Sequence, residues 1–415
     1  MSGPTPAAGR LDDLDRDLLV AVAHEYMLLG MLVNRGLLPQ VVLQTGGFDE
    51  MNDVAIDLWM GASPVYTGRM RRLMGIDGDD IAAIMKALQL DVGFVHEYMS
   101  VAYKLIDERH GEFWLNHCGA LLDAEPFGED RVFGMCHTIE DPTFDATAYA
   151  TNPRARIRPI HRPPRSPDDR HPHCHWTIVI DPANEPVGPA KLTEQVAALP
   201  LASVANVRAE EAAPEGMVDY RGPFDPAFRL TSLSNSALAA VAREFQVQSH
   251  LLVSAAELAL AQRFDPDVVR SMLAKHWVGV AWLTSERLAD RLSVRDGGAE
   301  GVAAVLRLQP DLPPGFDRAV DVDGDRVRLT LTPTTPGLLD PHHPGSPGLL
   351  ARAERSGMEA MAHGVDRRAR LEHLDADAER LVAEWVVDPA AAPAVEPDEV
   401  ALIRMSVAST WAFDD

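Results

Sequence analysis

The chain predicts an α+β fold: a helical front and a four-stranded antiparallel sheet in ββαββ order, duplicated as two similar domains. Three observations carry this reading. The N-terminal segments repeat their apolar residues at helical spacing, the period turns strand-like after Gly111, and four short sequences recur in the same order in the second half. A chain of 415 residues is ample for two or three cores.

In the first helix, over 14–36, Leu18, Leu19, Val22, Met27, Leu28, Met31 and Leu32 mark one apolar face, closed near Gly36 and Pro39. A second spans 50–60. Gly61-Ala62-Ser63-Pro64 should break it, with Pro64 opening a further helix to Met74. Asp79 and Asp80 place negative charge where a helix running to Leu90 begins, and the backbone dipole favours it there. One more helix is expected over 92–109. Strands follow at 112–118 and 131–137, with Gly128-Glu129-Asp130 as a turn between them. Asp141-Pro142 opens a short helix and Asn152-Pro153 stops it. Charged and apolar residues alternate over 154–161, and after a Pro-rich loop the fourth strand covers 173–181.

The second half echoes the first. Ala240-Val241-Ala242-Arg243-Glu244-Phe245 resembles Ala21-Val22-Ala23-His24-Glu25-Tyr26, and Asp325-Arg326-Val327 resembles Asp130-Arg131-Val132. Arg367-Arg368-Ala369-Arg370-Leu371 matches Pro153-Arg154-Ala155-Arg156-Ile157, and Val386-Val387-Asp388-Pro389 matches Val179-Ile180-Asp181-Pro182. Asp323-Gly324 is a strong hairpin signal between 319–322 and 326–332. Four echoes in one order argue for an internal duplication. The expected division is a disordered leader (1–13), a first domain (14–182), a linker with one helix at 192–199 (183–222), a second, degenerate copy (223–390) and a tail (391–415). The duplication also supplies a control, because a shared scaffold keeps its core pattern in both copies. Cys136-His137 faces Leu331-Thr332 in this alignment, and 381–385 hold no Cys or His opposite Cys174-His175. Residues found in one half only are candidates for function.

Composition narrows the classes. Apolar content of 46% and charged content of 24% suit a soluble globular protein. A net charge of −24 argues against nucleic acid as a partner, since phosphate binding needs excess Lys and Arg. Three cysteines, an odd number, fit a reducing cytoplasm better than a disulfide framework. The N-terminus lacks a charged-then-apolar signal pattern, and no run of 18 apolar residues points to a membrane. Arg154, Arg156, Arg158, Arg162, Arg165 and Arg170 form a basic island, which either draws in a small anion or is the solvated face of a strand.

Chemistry concentrates at 109–181. Every cysteine there touches a histidine in sequence: His117-Cys118, Cys136-His137 and His173-Cys174-His175. If the strands converge, His117, His137, His161 and His175 could hold zinc or iron with an open position for water. Zinc would bring that water's pKa to about 7, and Glu140, Glu112 or Glu125 could take the proton. The metal-free alternative makes Cys136 or Cys174 a nucleophile activated by a neighbouring imidazole. Arg154, Arg156 and Arg158 would then grip a substrate carboxylate, and Trp176 would line an apolar pocket. The bland reading of each cysteine is a small buried hydrophobe. His-Glu-Tyr-Met occurs at both 24–27 and 96–99, but adjacent His and Glu diverge by about 100° on a helix, so core or interface helix is the expected role.

The run from Gly78 through Met135-Cys136-His137, Asn152-Pro153-Arg154, Pro163-Pro164 and His173-Cys174-His175-Trp176 resembles the L-2-amino-thiazoline-4-carboxylic acid hydrolase-like proteins. That group is loosely similar to the vinyl-4-reductase-type ligand-binding domains. The likeness covers 49–181 and implies a helical front with an antiparallel sheet, and hydrolysis of a C–N bond in a thiazoline-like ring. The functional expectation is a cytoplasmic hydrolase acting on a small anionic heterocycle or amide, as a monomer or homodimer. The alternative is a sensor that binds an apolar acid without catalysis.

Overall fold

Two long helices open each half of the chain in the computed structural model, which describes residues 10–413; residues 1–9 of the expected leader lie outside the described residues. The first half runs α1 (Arg16–Thr45), α2 (Asp49–Met74), α3 (Ile81–Leu88), α4 (His96–Met99), β1 (Val101–Leu105), β2 (His110–Leu115), α5 (Gly119–Ala124), α6 (Glu129–Phe133), α7 (Glu140–Tyr149), β3 (Ala155–His161), β4 (Cys174–Ile180) and α8 (Lys191–Ala197). The second runs α9 (Asn235–Leu260), α10 (Pro266–Arg291), α11 (Gly298–Leu308), β5 (Phe316–Asp323), β6 (Arg326–Pro333), α12 (Ser346–Ala351), α13 (Arg355–His363), β7 (Ala369–Ala376), β8 (Leu381–Val387), α14 (Asp398–Arg404) and α15 (Val407–Thr410). Each half forms one four-stranded antiparallel sheet, ordered β1-β2-β4-β3 and β5-β6-β8-β7. The duplicated α+β architecture is therefore as the pattern predicted.

Local chemistry explains most boundaries. Asp15 caps α1 by accepting from the Leu18 N–H at 2.9 Å, and Gly46 ends it in the left-handed region at φ +77°. Asp80 caps α3 through the Ala83 N–H at 2.8 Å. Pro64 lies inside α2 and opens no new helix; packing between α8 and α9 holds α2 continuous across it. The expected helix over 92–109 is only the short α4. Ser100 at φ +47° stops it, and Val101 and Tyr103 then alternate inward as β1.

The expected strand over 131–137 is helical. Its buried residues, Val132, Gly134 and Cys136, alternate as a strand's would, yet the backbone turns helically and Ile139 continues the inward face. Between α6 and α7 the backbone forms a π-helical turn, Gly134–Ile139. A Cβ on Gly134 would come within 2.7 Å of the Asn52 side chain, so glycine is what lets this turn lie on α2.

Three of the four echoes occupy equivalent places: α1 with α9, the start of β3 with β7, and the end of β4 with β8. The fourth does not, because Asp130-Arg131-Val132 belongs to α6 whereas Arg326-Val327 opens β6. A further echo, Gln89-Leu90-Asp91-Val92 with Gln309-Pro310-Asp311-Leu312, follows α3 and α11. Its aspartates are both buried, and burial lifts Asp91 to about 6 and Asp311 to about 7. The segment expected as a linker contributes α8, packed on α2, and the C-terminal segment contributes α14, packed on α10.

The two halves share one helical core. α1 packs on α9 and α10 of the other half, and α2 packs on α9. Reciprocal ion pairs sit in these contacts. Glu25, tenth residue of α1, accepts from Arg287 at 2.6 Å and Arg291 at 3.0 Å on α10; Glu244, tenth residue of α9, accepts from Arg69 on α2 at 2.6 Å. α1 is long and apolar enough by composition to cross a bilayer, yet here its length lies buried against these helices.

Candidate functional site

The inward face of the first sheet does not close completely on the helices. A cavity of about 140 Å³ remains between α1, α2, α7 and β2 and β4. Aromatic rings surround it: Trp176 and Phe113 are fully buried, Phe144 lies 4.9 Å from Trp176, and Phe94 meets Phe113 edge-on at 5.4 Å. Met31, Met99 and Leu115 complete the apolar wall. The volume is close to that of engineered cavities that take up benzene.

A few polar groups interrupt this wall. Asp91 is engaged, accepting from the Tyr66 hydroxyl at 2.9 Å and the Gly93 N–H at 2.7 Å. Glu140 is not. Its Oε2 is sealed from solvent with no hydrogen-bond partner, and burial raises its pKa to about 8 against the opposing pull of Arg162. At neutral pH it is mainly a neutral acid with a proton to give.

Cys118 and Cys174 line the same cavity, and Cys136 stands close enough to both, and to Glu140, to feel their charge. All three cysteines are free and buried. Burial, reinforced by Glu140, raises Cys118 to about 12 and the other two well above their ordinary value. They are therefore thiols and not thiolates, which removes the feature that makes a cysteine nucleophilic.

The most unusual group is Arg131 on α6. Among the described residues it donates to no carboxylate: its Nη1 is buried without a hydrogen bond, and its guanidinium carbon lies 5.7 Å from the Phe48 ring. Burial and the nearby Arg35 lower its pKa to about 10, so it stays charged at neutral pH. Asp123, the nearest candidate partner, is already taken by Arg35 at 2.5 Å, Ser406 at 2.7 Å and the Val407 N–H at 2.8 Å. Arg131 lines both the inner cavity and a second, outer one of about 300 Å³. Sequence reading passed over this residue because it treated its segment as a strand; a lone arginine between Val132 and Asp130 carries no motif.

Of the residues expected at the site, the fold brings together Cys136, Cys174, Glu140 and Trp176, with Cys118 added. It does not gather the four histidines. His161 and His175 lie on the outer face of the sheet, with ring centroids 6.1 Å apart, and His175 pairs with Glu112 at 3.2 Å. His117 stands beside His173 and Trp411, beyond the end of β2. His137 stacks on Phe133 at 4.1 Å and bonds the Pro163 carbonyl at 2.7 Å. Strand alternation is the reason: Cys174 and Trp176 point inward, so His175 between them points out. Among the described residues, no group of three His, Cys, Asp or Glu side chains could hold a metal ion.

The expected substrate arginines are likewise committed elsewhere. Arg158 forms a two-point pair with Asp145, both contacts 2.8 Å. Arg154 donates to the carbonyls of Pro182 and Asn184, and Arg156 to those of Ala155 and Glu185. They brace β3 against α7 and the loop after β4.

The second half is packed differently at matched positions. Trp277 presses on Gly357 of α13, where an added Cβ would lie 2.2 Å from the ring. Leu381 stands at the start of β8 where Cys174 starts β4, each paired with a leucine of the neighbouring strand, Leu331 and Leu115. Comparison with protein-family models, with curated proteins and with solved structures finds no match for this chain.

Proposed function

We propose that the first half of this chain binds a small organic anion with a single-ring apolar body, and that the second half is the scaffold that completes the helical core. The observation that carries this is Arg131. A half-buried guanidinium with one nitrogen sealed from water and no counter-ion is costly, and a ligand anion would supply the missing partner. Beside it lies an aromatic cavity of benzene size, which matches the ring, and Arg131 suits a carboxylate through paired N–H donors.

Phenylacetate and its neutral amide test this on the full chain. Calorimetric titration should show phenylacetate binding at least tenfold tighter than phenylacetamide, and Arg131→Gln should erase the preference. Equal affinity for acid and amide, or no binding of either, would overturn the proposal.

A hydrolytic reading retains one specific support, Glu140. An acid whose pKa lies near 8 can protonate a leaving nitrogen at neutral pH, whereas the protonated thiols are poorly placed to attack. On this reading Glu140→Gln abolishes turnover of ring-bearing amide or thiazoline carboxylates but leaves phenylacetate binding intact. Absence of turnover by the wild-type chain across such a panel leaves binding as the function.

A further inference from the structure

We infer that the outer cavity is a second subsite, shaped for a hydrocarbon chain, so that the ligand carries its anionic group between a ring and an alkyl tail. This rests on the ligand reading of the inner cavity.

The two cavities share a wall made of Asn34, Arg35, Leu38, Ala120 and Arg131. Arg131 is thus the boundary: the ring lies on one side of it and the outer space on the other. The outer cavity is about twice the size of the inner one and is lined by Val42, Phe48, Met51 and Leu402, with Leu43, Phe127 and Met405 at its lip. Those last three are 71%, 53% and 69% exposed, an unusual density of large apolar side chains in water around one opening. Most polar groups of this cavity are engaged within the protein: Asp123 accepts from Arg35 Nε, Ser406 and the Val407 N–H, and Asn34 donates to the Gly30 carbonyl, while Arg131 Nη1 has no partner among the described residues. A chain running outward from an anion at Arg131 would cover the lip and meet mainly hydrocarbon. A carboxylate on the carbon that joins ring and chain satisfies this layout, which is the chemistry of a 2-aryl alkanoate.

The probe series is phenylacetate, 2-phenylbutanoate, 2-phenylhexanoate and 2-phenyloctanoate, titrated calorimetrically into the full chain. Each methylene that enters the outer cavity should tighten binding about threefold to fourfold. The double variant Leu43→Asp, Met405→Asp, at exposed positions, should flatten the series to the affinity of its shortest member. Thermal melts of the variant report its folding independently. Phenylacetate binding with no gain on lengthening, or a gain that survives the double variant, overturns this inference alone. Failure of every member to bind overturns the inner-site reading with it.

Discussion

Glu140 and Arg131 are half-buried ionisable groups that each keep one atom, Oε2 and Nη1, sealed from water with no hydrogen-bond partner among the described residues. Most of the other buried charges here are answered: Glu25, Glu244 and Asp123 each hold arginines within 3.0 Å. Asp311 in the second half also has a buried oxygen without a hydrogen-bond partner, so what marks the site is that Glu140 and Arg131 line one cavity together. The consequence for Glu140 is measurable. The folded chain keeps its proton to about pH 8, whereas the unfolded chain releases it near 4.5. Between those values the folded state binds more protons, so this residue lowers stability progressively as pH rises from 4.5 to 8. Glu140→Gln removes that penalty. Its stability advantage over wild type should grow across the window, by at most about 1.4 kcal/mol per pH unit, and level off above pH 8. Calorimetric melts of both proteins at pH 5, 6.5 and 8 check this, and an advantage that shrinks as pH rises would refute it.

At the scale of elements, the segment from α6 through the π-helical turn to α7 builds the site. It delivers Arg131, Cys136 and Glu140 to the same region, and it does so because Gly134 permits close approach to Asn52. Gly134→Val should therefore destabilise the chain by about 1–3 kcal/mol through overpacking. Chemical denaturation measures it, and an unchanged midpoint would show that the turn has room to shift. The same segment marks where sequence reading succeeded and failed. The strands β3 and β4 were legible because Ala155–Ile157 and Cys174–Ile178 alternate cleanly, each with one face buried. The region of Cys136, Cys174, Glu140 and Trp176 was legible from the local density of Cys and His, but which member of each Cys-His pair faces inward was not. The histidine set was not, since neighbours on a strand cannot share a face, and assigning each pair's inward member requires the register. Segment 131–137 misled because Val and Phe favour strands and its buried residues, Val132, Gly134 and Cys136, alternate as in a strand. Arg131 was invisible for a different reason: what singles it out is the absence of a partner, and absence is a property of the folded chain.

At the scale of the whole molecule, duplication explains why the second half is retained. The first helix of each half is packed by helices of the other, and Glu25 and Glu244 occupy the same position in their copies while reaching across to opposite halves. This is the arrangement of a symmetric dimer joined into one chain. The symmetry is incomplete: the first copy keeps a cavity beside Arg131, while Trp277 packs against Gly357 in the second. Neither half can bury α1 or α9 alone, so each isolated half exposes a long apolar helix. The exposed stretch around Val207–Gly216 joins the two copies and can be interrupted without breaking a core contact. Expressed together as separate polypeptides ending and beginning near residue 210, the halves should associate and elute at the position of the intact chain. Expressed singly, each should aggregate or self-pair. Adding Glu244→Ala strands Arg69 as a buried, unanswered charge and should weaken the association by about 3–5 kcal/mol. Gel filtration with thermal melts decides the matter: a single half that is monomeric and melts cooperatively would mean the two copies are independent domains, and the shared core only a contact between them.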